Sequence, residues 1–415
     1  MIFLVTLAFK NLARHKRRTL ITAGAIAVGI MMYIFIDSML EGADVESVRN
    51  MKWYETSSAR IYHEDYWDNR FQKPLDIHIV NPDLIVRRLI NGGFPAAKRI
   101  EFAGDMILGS DDFGVDGNMS VVVTAIDPEK DFDVFHFKDT LIQGRFLEED
   151  EDAIVMGSWF AEDIGAEIGH WITIVTRGYG GFFEAMDLEI VGIVNCPNPN
   201  VNRTLIMMPF DTADEYLAMD GASTEINIKI SGSQNQNEDI AAIENILKDS
   251  ELNVLSWREL ASDYLANTKS DRAGSALILL LIVIIASVGI SNTMLMVILE
   301  RTKELGMMSS MGMSEKRIRA TFLIEAAGIG LVGSLLGVAL GILADLFLIY
   351  VGIDYGFMMR DLDLGYRIQA IFRGVWNPGT MTQAFFAGIF ISAAVAFLPI
   401  ERALKMDITS CLKHL

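Results

Sequence analysis

Cysteine is nearly absent from this chain. Only Cys196 and Cys411 occur in 415 residues, and neither has metal-ligand neighbours, so no disulfide framework or thiolate metal site is expected. The common catalytic signatures are missing too. There is no G-x-x-x-x-G-K-[ST] phosphate loop. His63-Glu64 opens like a zinc-protease motif, but position 67 is Trp rather than His. No G-x-S-x-G turn is present, and the six histidines are scattered without ligand spacing. Gly178–Gly181 follows Arg177 at what reads as a hairpin tip, not at the strand-to-helix turn that cradles phosphate. No repeat of solenoid period is found. The sequence thus offers no catalytic residues and no metal ligands, and no enzyme is expected.

What the chain does have is four long apolar runs: Thr19–Leu40, Ala273–Leu299, Ala326–Tyr350 and Thr380–Ile400. Each is about 20 residues or more, enough for a helix to cross a hydrocarbon core of roughly 30 Å. The first stands alone and the other three crowd the C-terminal third. Overall hydrophobic content is 51%, which suits a mixed membrane and extramembrane architecture. The expected fold is therefore an α-helical membrane domain of four transmembrane helices, one plus three. A large α+β extracytoplasmic domain is inserted between helices one and two.

Charge supports this arrangement. Residues 43–268 hold 41 Asp/Glu against 17 Lys/Arg, although the whole chain is only −19. The remainder is therefore basic. Lys10, Arg14, Lys16, Arg17 and Arg18 precede the first run. Arg301, Lys303, Lys316, Arg317 and Arg319 follow the second, and Arg402, Lys405 and Lys413 follow the fourth. With four crossings these basic flanks share one side, the cytoplasm by the positive-inside rule, and both termini lie there. The acidic domain lies outside and excludes strongly anionic partners, nucleic acid among them. A cleaved signal peptide is not expected, because the first run is too long for an h-region and no A-x-A-like site follows Phe35.

These patterns divide the chain as follows. Residues 1–18 form a cytoplasmic amphipathic helix and 19–42 the first span. Residues 43–268 form the outer domain, and 269–299 the second span. Residues 300–319 are a cytoplasmic loop, 320–350 the third span, 351–379 an outer loop, 380–400 the fourth span and 401–415 a cytoplasmic tail. In the outer domain, β-branched runs predict strands at 59–62, 77–80, 121–126, 153–156, 171–176, 188–194, 205–208, 226–230 and 254–256. Helices are expected at 82–90, 159–164, 210–219 and 240–248. A break between two subdomains is expected in the Gly-rich stretch Gly104–Gly117 or in the loops flanking Gln143–Asp152.

Three features invite a role. Gly333, Gly337 and Gly341 recur every four residues, a spacing that lets helices approach closely. Asp345 is an acid within the third span, and two readings stand: an intramembrane functional group, or a carboxylate facing water near the outer end. The loop Glu300–Arg319 is long for a re-entry turn and carries Gly306 and Gly312 around a Met/Ser segment, with Ser314 placed to cap the next helix. It reads as a docking loop for a cytosolic partner.

That loop also carries a family resemblance. Glu300-Arg301, then Glu304-Leu305-Gly306, then Met311-Gly312-Met313-Ser314 resembles the MacB/FtsX-like ABC transporter permeases. So do the basic start Leu7–Thr19 and the ending Leu398-Pro399-Ile400-Glu401-Arg402. Gln143-Gly144-Arg145, Met156-Gly157, Gly165 and Ile168-Gly169 are similar to that family's periplasmic core. A permease without a fused ATPase is expected, unlike MacB itself. Length and the Val254–Glu259 stretch look most like the LolC/LolE lipoprotein-releasing permeases.

The resemblance implies an inner-membrane dimer of permeases, with a second copy or a paralogue as partner. It implies a separate ABC ATPase dimer that grips Glu300, Arg301, Glu304, Leu305, Gly306, Met311 and Gly312. ATP and Mg would be bound in that ATPase, and this chain would bind no cofactor. The cargo implied is a lipoprotein or other amphiphile, handed to a periplasmic chaperone. Met31, Met32, Met39, Leu40 and Leu265 are the substrate-contact candidates. Tyr179, Phe182 and Phe183, at the tip where LolC-type proteins carry a longer hook, are the partner-contact candidates. Those rings either form an outward apolar contact or pack inward. Two other functions compete: MacB-like export of a small molecule or peptide, and FtsX-like signalling to a cell-wall hydrolase.

Overall fold

The computed structural model describes residues 16–109, 113, 117–230, 236–248, 251–262, 264–266, 287–288, 291–292, 295–296, 307, 310–354 and 371–404. The chain divides into two compact units. One comprises residues 1–45, 267–358 and 370–415; the other comprises 46–266 and 359–369.

Among the described residues three helices are long and apolar enough to cross a membrane: α1 (Lys16–Tyr54), α9 (Glu315–Tyr350) and α10 (Pro378–Leu404). α1 runs twelve residues past the expected end at residue 42. The expected second span, 269–299, falls almost wholly outside the described residues. α9 starts at Glu315 with Ser314 in the extended N-cap conformation, although the serine side chain makes no capping bond. A two-stranded ribbon, β11 (Ile353–Asp354) with β12 (Ile371–Phe372), follows α9.

The second unit is built on a ten-stranded mixed sheet. Its strands are β1 (Ala59–His63), β2 (Ala96–Leu108), β3 (Gly117–Ile126), β4 (Leu141–Gly144), β5 (Ala153–Gly157), β6 (Trp171–Arg177), β7 (Phe183–Val194), β8 (Ile206–Pro209), β9 (Glu225–Ile228) and β10 (Leu252–Ser256). Strands run in the order β10-β1-β9-β2-β3-β8-β5-β7-β4, and β6 joins β7 to β2. The pairings β2-β3-β8-β5-β7-β6-β2 therefore close a six-stranded ring. Alternation fills it: Ile100, Phe102 and Met106 of β2, Val121 and Val123 of β3, Ile154 and Met156 of β5, and Ile172 and Ile174 of β6 share one buried cluster. Met186, Leu188 and Ile190 of β7 and Ile206 and Met208 of β8 complete it. β5 is buried on both faces, because Phe135, Phe137, Phe146 and Leu147 cover Val155 and Met207 from outside.

β2 is the hub. Residues 96–99 pair with β9, and residues 104–107 on the same edge pair with β6. The whole outer edge from Arg99 to Leu108 pairs with β3. Gly104 sits where the chain approaches β6: a Cβ there would lie 2.9 Å from Ile174 and 3.1 Å from the Val175 carbonyl. Beyond β9, strands β1 and β10 share a second core with α3 (Pro82–Asn91) and α7 (Gln236–Ile246).

Two expectations need correction. Gly104–Gly117 is not a break between subdomains. β2 passes through Gly104 to Leu108, and β3 begins at Gly117. The expected strand at 77–80 is only an isolated bridge, Ile79 to Ser223.

Candidate functional site

The membrane unit is held by small residues in register. On α1, Ala23, Ile26, Ala27, Ile30 and Ile34 form one face at helical spacing, all buried. The α9 glycines lie directly against it. A Cβ at Gly333 would stand 2.8 Å from Ile26 Cβ and 2.9 Å from the Ala23 carbonyl oxygen. At Gly337 it would stand 2.8 Å from Ile30 Cβ and 2.9 Å from the Ala27 oxygen. At Gly341 it would meet Ile34 Cδ1 at 2.7 Å. Carbon pairs prefer about 3.5–4.0 Å, so any side chain here forces the helices apart. α10 repeats the device: a Cβ at Gly330 would meet Ser392 Oγ at 2.8 Å, and one at Gly388 would meet Ile30 Cδ1 at 2.6 Å. Arg319 and Glu401 join α9 to α10 at 2.6 Å near one end of the pair.

The opposite end of the bundle is polar. Ser38 of α1 and Asp345 of α9 are both buried and hydrogen-bonded through Ser38 Oγ and Asp345 Oδ1. The Ser38 hydroxyl also lies 3.2 Å from the Val375 carbonyl oxygen. The Asn377 amide reaches Asp37 Oδ2 at 3.3 Å. Asp345 is fully enclosed, so the water-facing reading of this acid does not hold.

The substrate-contact candidates fall in both units. Met31 is half-buried and its neighbour Met32 is exposed on α1; Met39 and Leu40 are half-buried about two turns further on. Leu265 belongs to the other unit, where it packs against Met51, Trp257 and Ala261.

The hairpin between β6 and β7 is tight. Gly178 N–H donates to the Phe182 carbonyl at 3.0 Å, Gly181 takes φ +79°, and Arg177 Nε–H donates to the Gly181 carbonyl at 3.0 Å. Tyr179 N–H donates to the Leu217 carbonyl at 2.9 Å, and its ring meets His78 edge-on at 5.1 Å. Phe182 and Phe183 are 76% and 77% exposed, so inward packing fails for both. A cavity of about 500 Å³, lined by Lys73, Leu75, Phe102, Thr176, Arg177 and Tyr179 among others, opens beside the tip.

Of the docking loop, Glu300, Arg301, Glu304, Leu305 and Gly306 lie outside the described residues. Met311 is 77% exposed and Gly312 turns the chain at φ +83°.

The second unit also holds an internal charge network that no sequence motif announces. Arg99 forks onto buried Asp131 at 2.7 and 2.9 Å. Arg60 reaches Glu225 at 2.9 Å, Asn227 at 2.8 Å and the Tyr62 hydroxyl at 2.8 Å. Lys73 pairs with Glu101. Burial pushes the Glu101 carboxyl up, but Lys73 and Arg60 outweigh it and hold the group below the usual carboxylate range. Cys196 is also internal, and burial pushes its thiol up to about 12.

Known proteins agree with the class this architecture suggests. Residues 19–246 match the MacB-like periplasmic core domain, and residues 276–408 match the FtsX-like permease C-terminal domain. The chain belongs to the family of the MacB-like periplasmic core domain, joined to an FtsX-like permease C-terminal domain. The macrolide export ATP-binding/permease protein MacB of Escherichia coli is 24% identical, over 97% of this chain and 59% of that protein. This chain thus spans 59% of that relative's length. An uncharacterized ABC transporter permease of Methanocaldococcus jannaschii is 24% identical over 82% of this chain and 83% of its own. The lipoprotein-releasing system transmembrane protein LolC of Neisseria meningitidis is 23% identical over 54% of this chain and 55% of that protein.

Proposed function

We propose that this chain is the permease subunit of an ABC transporter. ATP hydrolysis in a separate ATPase chain moves its outer domain, and the work extrudes lipoproteins from the inner membrane towards the outer membrane. The single observation behind the mechanical part is the glycine seam. With α1 and α9 in close contact from Ala23 to Ile34, there is no room for a hydrated passage between them. A cargo that stays on the outer side and is pushed needs no such passage. The exposed Phe182 and Phe183 suit an apolar hand-over to a chaperone.

MacB-like export of a small molecule or peptide is the second reading. It is favoured by the longer match to MacB, 97% of this chain against 54% for LolC. Depletion of the chain in its host, followed by membrane fractionation and mass spectrometry of lipoproteins, separates the two. Lipoproteins retained in the inner membrane support release. An unchanged distribution with heightened drug sensitivity overturns it in favour of export.

A further inference from the structure

The polar end of the bundle holds more acceptors than protons. Ser38 Oγ lies between Asp345 Oδ1 and the Val375 carbonyl oxygen. A hydroxyl has one proton to donate. If Asp345 were a carboxylate, it would take that proton and leave Val375 without it. Asp345 Oδ2 would then be a buried anionic oxygen with no partner among the described residues.

Among the described residues no cation offsets such a charge. The ionisable groups near it on α1 are Tyr33, Asp37 and Glu41, and Asp37 is engaged with Asn377. On α9 the nearest is Tyr350, five residues on and exposed, and the next is Glu325, more than five turns back. The segment 373–377 brings Arg373, whose side chain is exposed, and α10 has none before Glu401. A buried carboxylate oxygen without a donor is an unsatisfied charge, and a proton on the acid removes that charge.

We propose that Asp345 is a proton-binding site that clamps the segment 373–377 onto α1. The neutral acid donates its O–H to Ser38 Oγ, and Ser38 donates its own to the Val375 carbonyl. Every proton in the chain then has an acceptor, and only a neutral carbonyl oxygen stays unpartnered. Val375 N–H returns a bond to the Ser38 carbonyl at 3.3 Å. Two glycines let the segment lie this close: a Cβ on Gly42 would stand 2.0 Å from the Arg373 oxygen, and one on Gly374 would stand 2.4 Å from Ser38 Oγ. Loss of the proton turns Ser38 towards the carboxylate, frees the Val375 carbonyl and opens the clamp. The inference rests on this packing and is independent of the cargo.

The test uses the full chain in lipid nanodiscs, followed by hydrogen exchange across residues 373–377 as pH rises, corrected for the intrinsic pH dependence of exchange. Protection is expected to fall by about tenfold or more in one step. In Asp345→Asn, whose amide also donates to Ser38, the step is expected to vanish and protection to stay high. A step of equal size in that variant, or none in the wild type, overturns the proposal. A second measurement needs no variant. With carboxyl-labelled aspartate in the wild-type chain, infrared spectra at neutral pH are expected to show a protonated carboxyl band. Absence of that band overturns the proposal as well.

Discussion

Gly337→Ala is a sharp test of the seam. The new methyl carbon would sit 2.8 Å from Ile30 Cβ, 2.9 Å from the Ala27 oxygen and 3.0 Å from Ala27 Cα. Two of those atoms are backbone and the third is the first carbon of a side chain, so no flexible tip can yield. Restoring about 3.5 Å requires α1 and α9 to separate by roughly 0.7 Å, a gap that already forfeits about a quarter to a half of each contact's attraction. Overpacking of this kind costs about 1–3 kcal/mol. Alanine returns about 1 kcal/mol of helix propensity. The net expectation is a loss of about 0–2 kcal/mol for Ala, and a clearly larger loss for Gly337→Val. Gly24→Ala on α1 is the control, because nothing lies within 4 Å of its Cβ position. There only the propensity gain remains, and the variant is expected to match or exceed the wild type. The assay is thermal unfolding of the three variants in identical nanodiscs. Gly337→Val as stable as Gly24→Ala would refute the seam.

The remaining predictions concern the sheet-built second unit. Arg99→Met strands the carboxylate of fully buried Asp131 and is expected to destabilise by about 3–5 kcal/mol in chemical denaturation, with much of the loss recovered when Asp131→Leu is added. Glu101 has a depressed folded pKa, so its contribution is present above the unfolded carboxylate value of about 4.3 and disappears as pH falls through the folded value. The acid limb of stability against pH is expected to flatten in Glu101→Gln. Cys196 combines full burial with a raised thiol pKa, so iodoacetamide at neutral pH is expected to leave it unmodified until the chain is denatured; peptide mapping reads the result. Phe182→Ser with Phe183→Ser removes two exposed rings and is expected to leave the unfolding midpoint unchanged.

Much of this was written plainly in the sequence. The apolar runs that became α1, α9 and α10 were visible by length, and the seam by its four-residue glycine spacing. Strands such as β5 and β6 stood out because their residues are apolar and β-branched. The longest strand, β2, did not. Lys98, Arg99, Glu101 and Asp105 interrupt its pattern, and Gly104 reads as a turn. Each of those charges has a partner that is remote in sequence: Asp83, Asp131, Lys73 and Ser120 respectively. A single-strand pattern registers the polar residue but not the partner that makes it tolerable in a sheet. β4 was missed for a different reason. It is an edge strand of four mostly exposed residues, with no buried face to impose alternation.

Asp345 shows the same limit within the bundle. Sequence places it near a helix end, where a carboxylate normally finds water. What encloses it is Ser38, some three hundred residues earlier, and a backbone segment after the ribbon that two glycines allow to lie flat on α1. Neither glycine carries a helical spacing signal of the kind that marks Gly333, Gly337 and Gly341. Periodic glycines announce a helix seam because their period matches the helix they serve. Gly42 and Gly374 belong to a contact between a helix and an irregular strap, which has no period. The seam and the strap thus use the same physics, close backbone approach without Cβ, yet only the seam could be read from spacing.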